Sequence, residues 1–148
     1  MLTWHQTGGI AGFSTFTVPG LLGGSVPARE LARQWETLYN RGKATMPFVA
    51  IASFAGFAYV AYQQKGQGQP AWTRYGLAGA LTIGIVPFTI IAMTATNNAL
   101  MQVASGATAL GEDATRSLLL KWKGLNMVRS MLPLAGAVVG LWTFVVGE

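Results

Sequence analysis

The chain has 148 residues, of which 51% are hydrophobic and only 10% are charged, and its mean hydropathy is +0.40. A soluble domain carries about 25% charged residues, so this composition predicts one integral membrane domain, 1–148, and excludes an ordinary solvated globule. The net charge of +5 comes without a run of Lys or Arg, which argues against a nucleic-acid partner and favours basic loops beside a membrane. Cysteine is absent, which excludes disulfides and thiolate chemistry.

Four apolar segments approach the length of about 20 residues that a helix needs to cross a bilayer. They are residues 5–24, 44–62, 71–96 and 130–147, and the first is the most polar of them. The fold class predicted from them is all-α: an integral membrane four-helix bundle. Pro87 lies in the middle of the third span and is expected to kink it.

Small residues recur at spacing four in all four spans. In lipid, helices associate through close van der Waals packing that small residues permit, so this spacing predicts a tight bundle. The residues concerned are Gly8 and Gly12, Ala52 and Gly56, Gly76, Ala80 and Gly84, and Gly136 and Gly140.

Basic residues alternate between the connecting segments. Residues 25–43 contain four, residues 63–74 contain two, and residues 97–129 contain four. This alternation predicts a multi-pass protein of an intracellular membrane, with 25–43 and 97–129 in the cytosol and both termini on the other side.

The first cytosolic segment is expected to form an amphipathic loop helix. Leu31, Trp35 and Leu38 fall at i, i+4 and i+7, and Gly42 is a plausible C-terminal cap. The segment 111–128 also has a helical pattern and is expected to run into the fourth span.

The stretch TATNNAL ends the third span in two adjacent amides, Asn97 and Asn98. In KWKGLNMVRS, at the entry to the fourth span, Trp122, Asn126 and Arg129 are spaced i, i+4 and i+7. That spacing places an indole, an amide and a guanidinium on one helical face. The end of the third span and the entry to the fourth span lie on the same predicted side of the membrane.

Trp35 and Tyr39 form a further i, i+4 pair on that side. Taken singly, each of these residues has an ordinary explanation: a helix cap, a positive anchor or an interfacial aromatic ring. Together they predict a polar and aromatic mouth at the cytosolic end of the bundle, because polar groups near hydrocarbon need partners and are often functional. Such a mouth suits a planar, oxygenated aromatic ligand.

The usual catalytic constellations are missing from the sequence. His5 is the only histidine, which leaves no metal-ligand set and no serine–histidine–acid triad. GGIAGF and LLGGS lack the spacing of a nucleotide-binding loop. A single histidine can ligate haem, so a haem enzyme that uses His5 stays open, beside the simpler interpretation that His5 lies at the membrane interface.

Four stretches carry a family resemblance over nearly the whole chain: VPGLL, ARQWETLYNRGKATMP, a Pro-Phe-Thr span ending in TNNAL, and KWKGLNMVRS. Their order resembles the anthrone oxygenase family of small membrane proteins. The resemblance implies oxidation of a polyketide anthrone to an anthraquinone by molecular oxygen, with no organic cofactor. The implied partners are the planar substrate, oxygen and membrane lipid, and a homo-oligomer stays open.

Under this resemblance, Arg129 is expected to face the developing enolate oxygen of the substrate, with Asn97 and Asn126 donating further hydrogen bonds. The remaining substrate contacts are expected from Trp35, Trp122, Tyr39 and Asn98. The base is left open among His5, Tyr39, Glu36 and solvent. The alternative to an enzyme is a non-catalytic four-span protein that acts as a scaffold, lipid binder or small transporter.

Overall fold

The computed structural model describes residues 2–146, and within that range it contains four helices and no strand. The first helix, α1, is built from Leu2–Gly12, a π-helical turn at Phe13–Thr17, and Val18–Leu22. The other three are α2 (Ala28–Gly66), α3 (Trp72–Ser105) and α4 (Glu112–Val146). The all-α prediction is therefore confirmed.

The bundle has two ends with different connections. The hairpin end carries residues 67–71, which join α2 to α3, and the loop end carries residues 23–27 and 106–111. At the loop end, α3 stops at Gly106, whose φ of 83° is left-handed and suits glycine. Arg116 of α4 donates to the carbonyls of Leu22 and Gly24, which satisfies the end of α1.

The predicted loop helix is present but is not a separate element. Pro27 precedes a single helix that runs without a break from Ala28 through the second predicted span to Gly66. Gly42 was expected to end the loop helix, and this was wrong. It lies inside α2, which continues through it, because a glycine without a left-handed φ does not end a helix.

Three helices, α2, α3 and α4, are long and apolar enough to cross a membrane. Large apolar side chains cover their outer faces, with exposed fractions of 84% for Ile91 and 75% for Phe144. A soluble monomer rarely exposes so much contiguous apolar surface. This surface associates the protein with a membrane, whereas the span predicted at 5–24 is not among the three and stays a prediction.

Close packing by small residues is confirmed at the hairpin end, although only for part of the predicted set. A methyl group added at Gly136 would lie 2.6 Å from the Thr82 hydroxyl, and one added at Gly140 would lie 2.5 Å from the Phe57 ring. Gly8, Gly12, Gly56 and Gly76 have nothing within 4 Å of such a methyl group. At Gly136 and Gly140, helix α4 therefore lies too close to α3 and α2 to admit a side chain without a shift.

Helix α3 is irregular in its middle. The regular helix ends at Ile83, a single turn follows at Ile85–Phe88, and a π-helical turn occupies Thr89–Met93. Pro87 has no N–H to donate, so an interruption of the hydrogen-bond ladder is expected around it. This irregular part of α3 faces the cavity described next.

Candidate functional site

A cavity of about 180 Å³ lies between the four helices, in the half of the bundle nearer the loop end. Its walls are mostly apolar. The polar or amphipathic side chains that line it are Tyr39, Lys43, Thr89, Trp122 and Arg129. Among the residues that the structure describes, no acidic side chain lines the cavity.

The cavity lies where the charged parts of the helices give way to uncharged ones. Lys43 is the last charged residue of α2 before an uncharged stretch at 44–64, and Arg129 is the last in α4 before one at 130–147. Ile90 lines the cavity and is 64% exposed, so the cavity reaches the outer surface of α3. A ligand with an apolar body and polar oxygens matches this boundary.

Arg129 is held by neutral partners. One terminal nitrogen donates to the Thr89 hydroxyl at 3.1 Å, and the other donates to the Asn126 side-chain oxygen at 2.6 Å. Its buried Nε has no partner among the described residues. A guanidinium has five N–H donors, so Arg129 has donors beyond the two that bond Thr89 and Asn126.

Asn126 is fully buried, and both the nitrogen and the oxygen of its side-chain amide form hydrogen bonds within the protein. Its nitrogen donates to the Ile10 carbonyl at 2.8 Å and to the Ser14 hydroxyl at 2.9 Å, while its oxygen accepts from Arg129. Ser14 in turn donates to the Lys123 carbonyl. Asn126 therefore does not line the cavity, and its geometry fits a residue that orients Arg129.

Asn97 is also directed toward the protein. Its oxygen accepts a hydrogen bond of 3.0 Å from the Trp122 indole, and both side chains are buried. This contact fixes the indole plane of Trp122, which lines the cavity. Asn98 lies on the other side of the helix and is exposed, so the structure does not bring it to the cavity.

Three aromatic rings form one cluster beside Arg129. Trp35 and Tyr39 are stacked with centroids 4.9 Å apart, and Trp35 meets Trp122 edge to face at 5.8 Å. Trp35 is buried behind the other two and does not line the cavity, and its indole N–H has no partner among the described residues. Tyr39 and Trp122 thus form the aromatic wall, and Trp35 supports them.

Both π-helical turns contact the polar pair on α4. Ser14, which accepts from Asn126, lies in the turn of α1, and Thr89, which accepts from Arg129, begins the turn of α3. Single π-helical turns are rare and occur often at functional sites. The backbone irregularities of two helices therefore converge on Asn126 and Arg129.

Six of the predicted site residues come together: Trp35, Tyr39, Asn97, Trp122, Asn126 and Arg129. The side chain of His5 lies outside the described part of the structure, and Glu36 does not line the cavity. The sequence interpretation missed Ser14, Thr89 and Lys43. Thr89 and Lys43 stand within the Pro-Phe-Thr and Asn-Arg-Gly-Lys stretches of the family resemblance, which was the available signal.

A metal centre made of protein ligands is not visible in the described side chains, which contain no group of three or more His, Cys, Asp or Glu placed to hold an ion. The donors at the cavity are instead a guanidinium, an ammonium and hydroxyl groups. These groups bind oxygen anions rather than metal cations.

Fold and cavity together define a small helical membrane protein with a pocket that is lined by two basic side chains and has an aromatic wall. Sequence comparison then gives the family: the profile described as anthrone oxygenase matches residues 35–139, and the chain belongs to that family. No solved structure matches the chain.

Three curated relatives align with this chain over most of their lengths. The chain is 41% identical over 141 residues to an anthrone oxygenase of Claviceps purpurea, covering 90% of this chain and 79% of that protein. It is 39% identical over 136 residues to the anthrone oxygenase gedH of Aspergillus terreus, covering 92% and 89%. It is 34% identical over 140 residues to the anthrone oxygenase AgnL2 of Paecilomyces divaricatus, covering 90% and 85%.

Proposed function

We propose that the protein is an anthrone oxygenase, an oxidoreductase that converts a polyketide anthrone to an anthraquinone with molecular oxygen. Membership of the family supports this function. The structural observation that carries it is Arg129, a half-buried cation with neutral partners beside an apolar, aromatic cavity. A buried charge without a counter-charge is costly, and an anionic form of the substrate would supply that counter-charge.

The reaction needs little chemistry from the protein beyond proton transfer. Removing one proton from the CH₂ group of an anthrone gives an enolate whose charge spreads over three rings. Oxygen takes electrons from this enolate and forms a hydroperoxide at the former CH₂ carbon. Loss of the second C–H proton and cleavage of the O–O bond then give the new carbonyl and one water, so one oxygen atom enters the product.

Arg129 is the group proposed to stabilise the enolate oxygen. Its orientation is fixed before the substrate arrives, because Thr89 and Asn126 hold its two terminal nitrogens. Donors fixed in advance toward a developing negative charge lower the barrier without reorganisation during the reaction. Asn126 and Asn97, which were expected to donate directly, are assigned positioning roles behind Arg129 and Trp122.

Tyr39 is the proposed base. Tyr39, Lys43 and Arg129 are the ionisable residues that line the cavity among those described. Of these three, Tyr39 is the one whose ionised form accepts a proton. Its phenolate would take the first CH₂ proton and give it to the peroxide anion, which forms the hydroperoxide. It would then take the second C–H proton and give it to the departing hydroxide, so both CH₂ protons end in one water and Tyr39 returns to its starting form.

No organic cofactor is required by this scheme, and the alternative is a haem bound through His5. Haem would appear as a Soret band on the purified protein and would be lost in His5→Ala. Membrane lipid is the proposed environment, with a multi-pass topology in an intracellular membrane and residues 25–43 and 97–129 in the cytosol.

The test is oxygen uptake by detergent-purified, metal-analysed protein with emodin anthrone, measured against the spontaneous rate. We expect quinone formation well above that rate without bound metal or haem. Tyr39→Phe keeps the ring that stacks on Trp35 and should lower kcat at least about a hundredfold if general-base catalysis is lost. A folded wild-type protein that matches the blank would reject the oxygenase and favour the scaffold, and normal turnover by Tyr39→Phe would reject Tyr39 as the base.

A further inference from the structure

The cavity has a second cation that the proposed reaction does not use. Lys43 lines it and is exposed, and its ammonium lies 6.0 Å from the centre of the Tyr39 ring. Trp35 stacks on the same ring from one helical turn earlier. Lys43 therefore lies beside the aromatic wall, at the exposed edge of the cavity, which is called the rim below. Its ammonium is strongly hydrated and can also extend into water.

Arg41 shows that this placement is specific to Lys43. It stands two residues earlier on α2, is exposed and carries the same charge, yet it does not line the cavity. A general attraction of basic residues to lipid headgroups would apply to both. The contact with the cavity applies to Lys43 alone.

Two like charges line one small cavity, so a ligand with two separated negative charges would match it better than a ligand with one. No acidic side chain among the described residues lines the cavity to balance either cation. The enolate of the reaction supplies a single negative charge, which Arg129 is proposed to meet. An anionic group elsewhere on the same ligand would pair with Lys43 at the rim.

We propose, on the basis of the function inferred above, that Lys43 is a specificity-determining residue for anthrones that carry an ionised oxygen substituent. The chemistry of an ammonium selects a carboxylate or an acidic phenol on the part of the tricycle that faces the rim. The uncharged rings lie against the apolar wall, which includes Phe13, Met46 and Ile85.

The experiment compares a ring-carboxylated anthrone with its methyl ester, two substrates that differ little in size but differ by one charge. The protein variants are Lys43→Met, Lys43→Arg and, as the matched control, Arg41→Met. We expect the wild-type protein to prefer the carboxylate and Lys43→Met to lower kcat/KM for it about tenfold, the scale of one charged hydrogen bond. The ester should lose much less than the carboxylate, and Lys43→Arg should keep the preference for the carboxylate.

Each of the other possible results would overturn the proposal, and each points to a different explanation. An equal loss on both substrates in Lys43→Met assigns Lys43 to folding or to the cavity as a whole. An equal loss in Arg41→Met assigns the effect to general surface charge or lipid headgroups. Turnover of both substrates with no dependence on Lys43 rejects the inference alone, whereas no turnover of either substrate by folded wild-type protein rejects the proposed function.

Discussion

The two ends of the bundle are held together by different forces. At the hairpin end, Gly136 and Gly140 bring helices into direct contact, and the buried Thr82 hydroxyl bonds only to its own helix. At the loop end, side-chain hydrogen bonds join three helices. Asn126 of α4 donates to Ser14 of α1, and Arg129 of α4 donates to Thr89 of α3 and to Asn126. Lipid offers no hydrophobic drive between helices, so packing and hydrogen bonding are the two means available. The candidate site lies at the end that uses hydrogen bonds, where Arg129 lines the cavity.

The largest effect on kcat is expected from removing the guanidinium of Arg129 at the loop end. Arg129→Ala should lower kcat about a hundredfold, the usual loss of a donor to a developing oxyanion. Arg129→Lys keeps the charge but cannot bond Thr89 and Asn126 in the same fork, so it should recover only part of the rate. The measurement is anthrone-dependent oxygen uptake, with circular dichroism to establish folding. A folded Arg129→Ala protein with near-normal turnover would remove Arg129 from the mechanism.

The packing of the hairpin end is tested by adding volume at its closest contact. Gly140→Val forces side-chain atoms into the Phe57 ring and should destabilise the fold by about 1–3 kcal/mol. Gly56→Val is the matched control, since a methyl group at Gly56 meets nothing within 4 Å. Thermal unfolding in detergent measures both, and kcat of the folded fraction should stay close to normal. Equal destabilisation by the two variants would mean that the hairpin end does not depend on this contact.

A smaller effect is expected from changing the charge behind Arg129 without changing shape. Asn126→Asp places a carboxylate 2.6 Å from the guanidinium in the present geometry, where it competes with the enolate for the cation. It also replaces the amide nitrogen that donates to the Ile10 carbonyl, so circular dichroism first establishes that the variant is folded. We expect kcat to fall about tenfold, one charged hydrogen bond in scale, with KM changing less. Asn126→Ser, which adds no charge, should cost less activity. The reverse order would show that Asn126 acts only through packing.

Much of this arrangement was predictable from spacing. The i, i+4, i+7 pattern of Trp122, Asn126 and Arg129 does place them on one face, and Trp35 does stack on Tyr39. Helical geometry makes such patterns reliable because residues three or four apart share a face. Adjacent residues do not, so the sequence left Asn97 and Asn98 equivalent, and only the structure shows that one is buried and the other exposed.

Other features could not be predicted from residue type and spacing, although Thr89 and Lys43 stand in stretches that carry the family resemblance. Ser and Thr hydroxyls commonly bond the carbonyl four residues earlier in their own helix, as Thr89 also does. Nothing in their type therefore marked Ser14 and Thr89 as partners of Asn126 and Arg129. Lys43 had an adequate explanation as a basic residue beside a membrane, which concealed its place at the cavity. The continuity of α2 was missed because Gly42 resembled a cap.

The π-helical turns have a consequence for insertions and deletions. A π turn is an α-helix that holds one additional residue, so deleting one residue from Thr89–Met93 would allow a regular helix to form there. Because the turn itself absorbs the missing residue, the helix on either side would keep its relative orientation, and Thr82 would stay against Gly136. The change would be local to the turn, where Thr89 accepts from Arg129. A deletion in the regular part of α3, at Trp72–Ile83, would instead rotate one side by about 100° relative to the other, the angle of one residue in an α-helix.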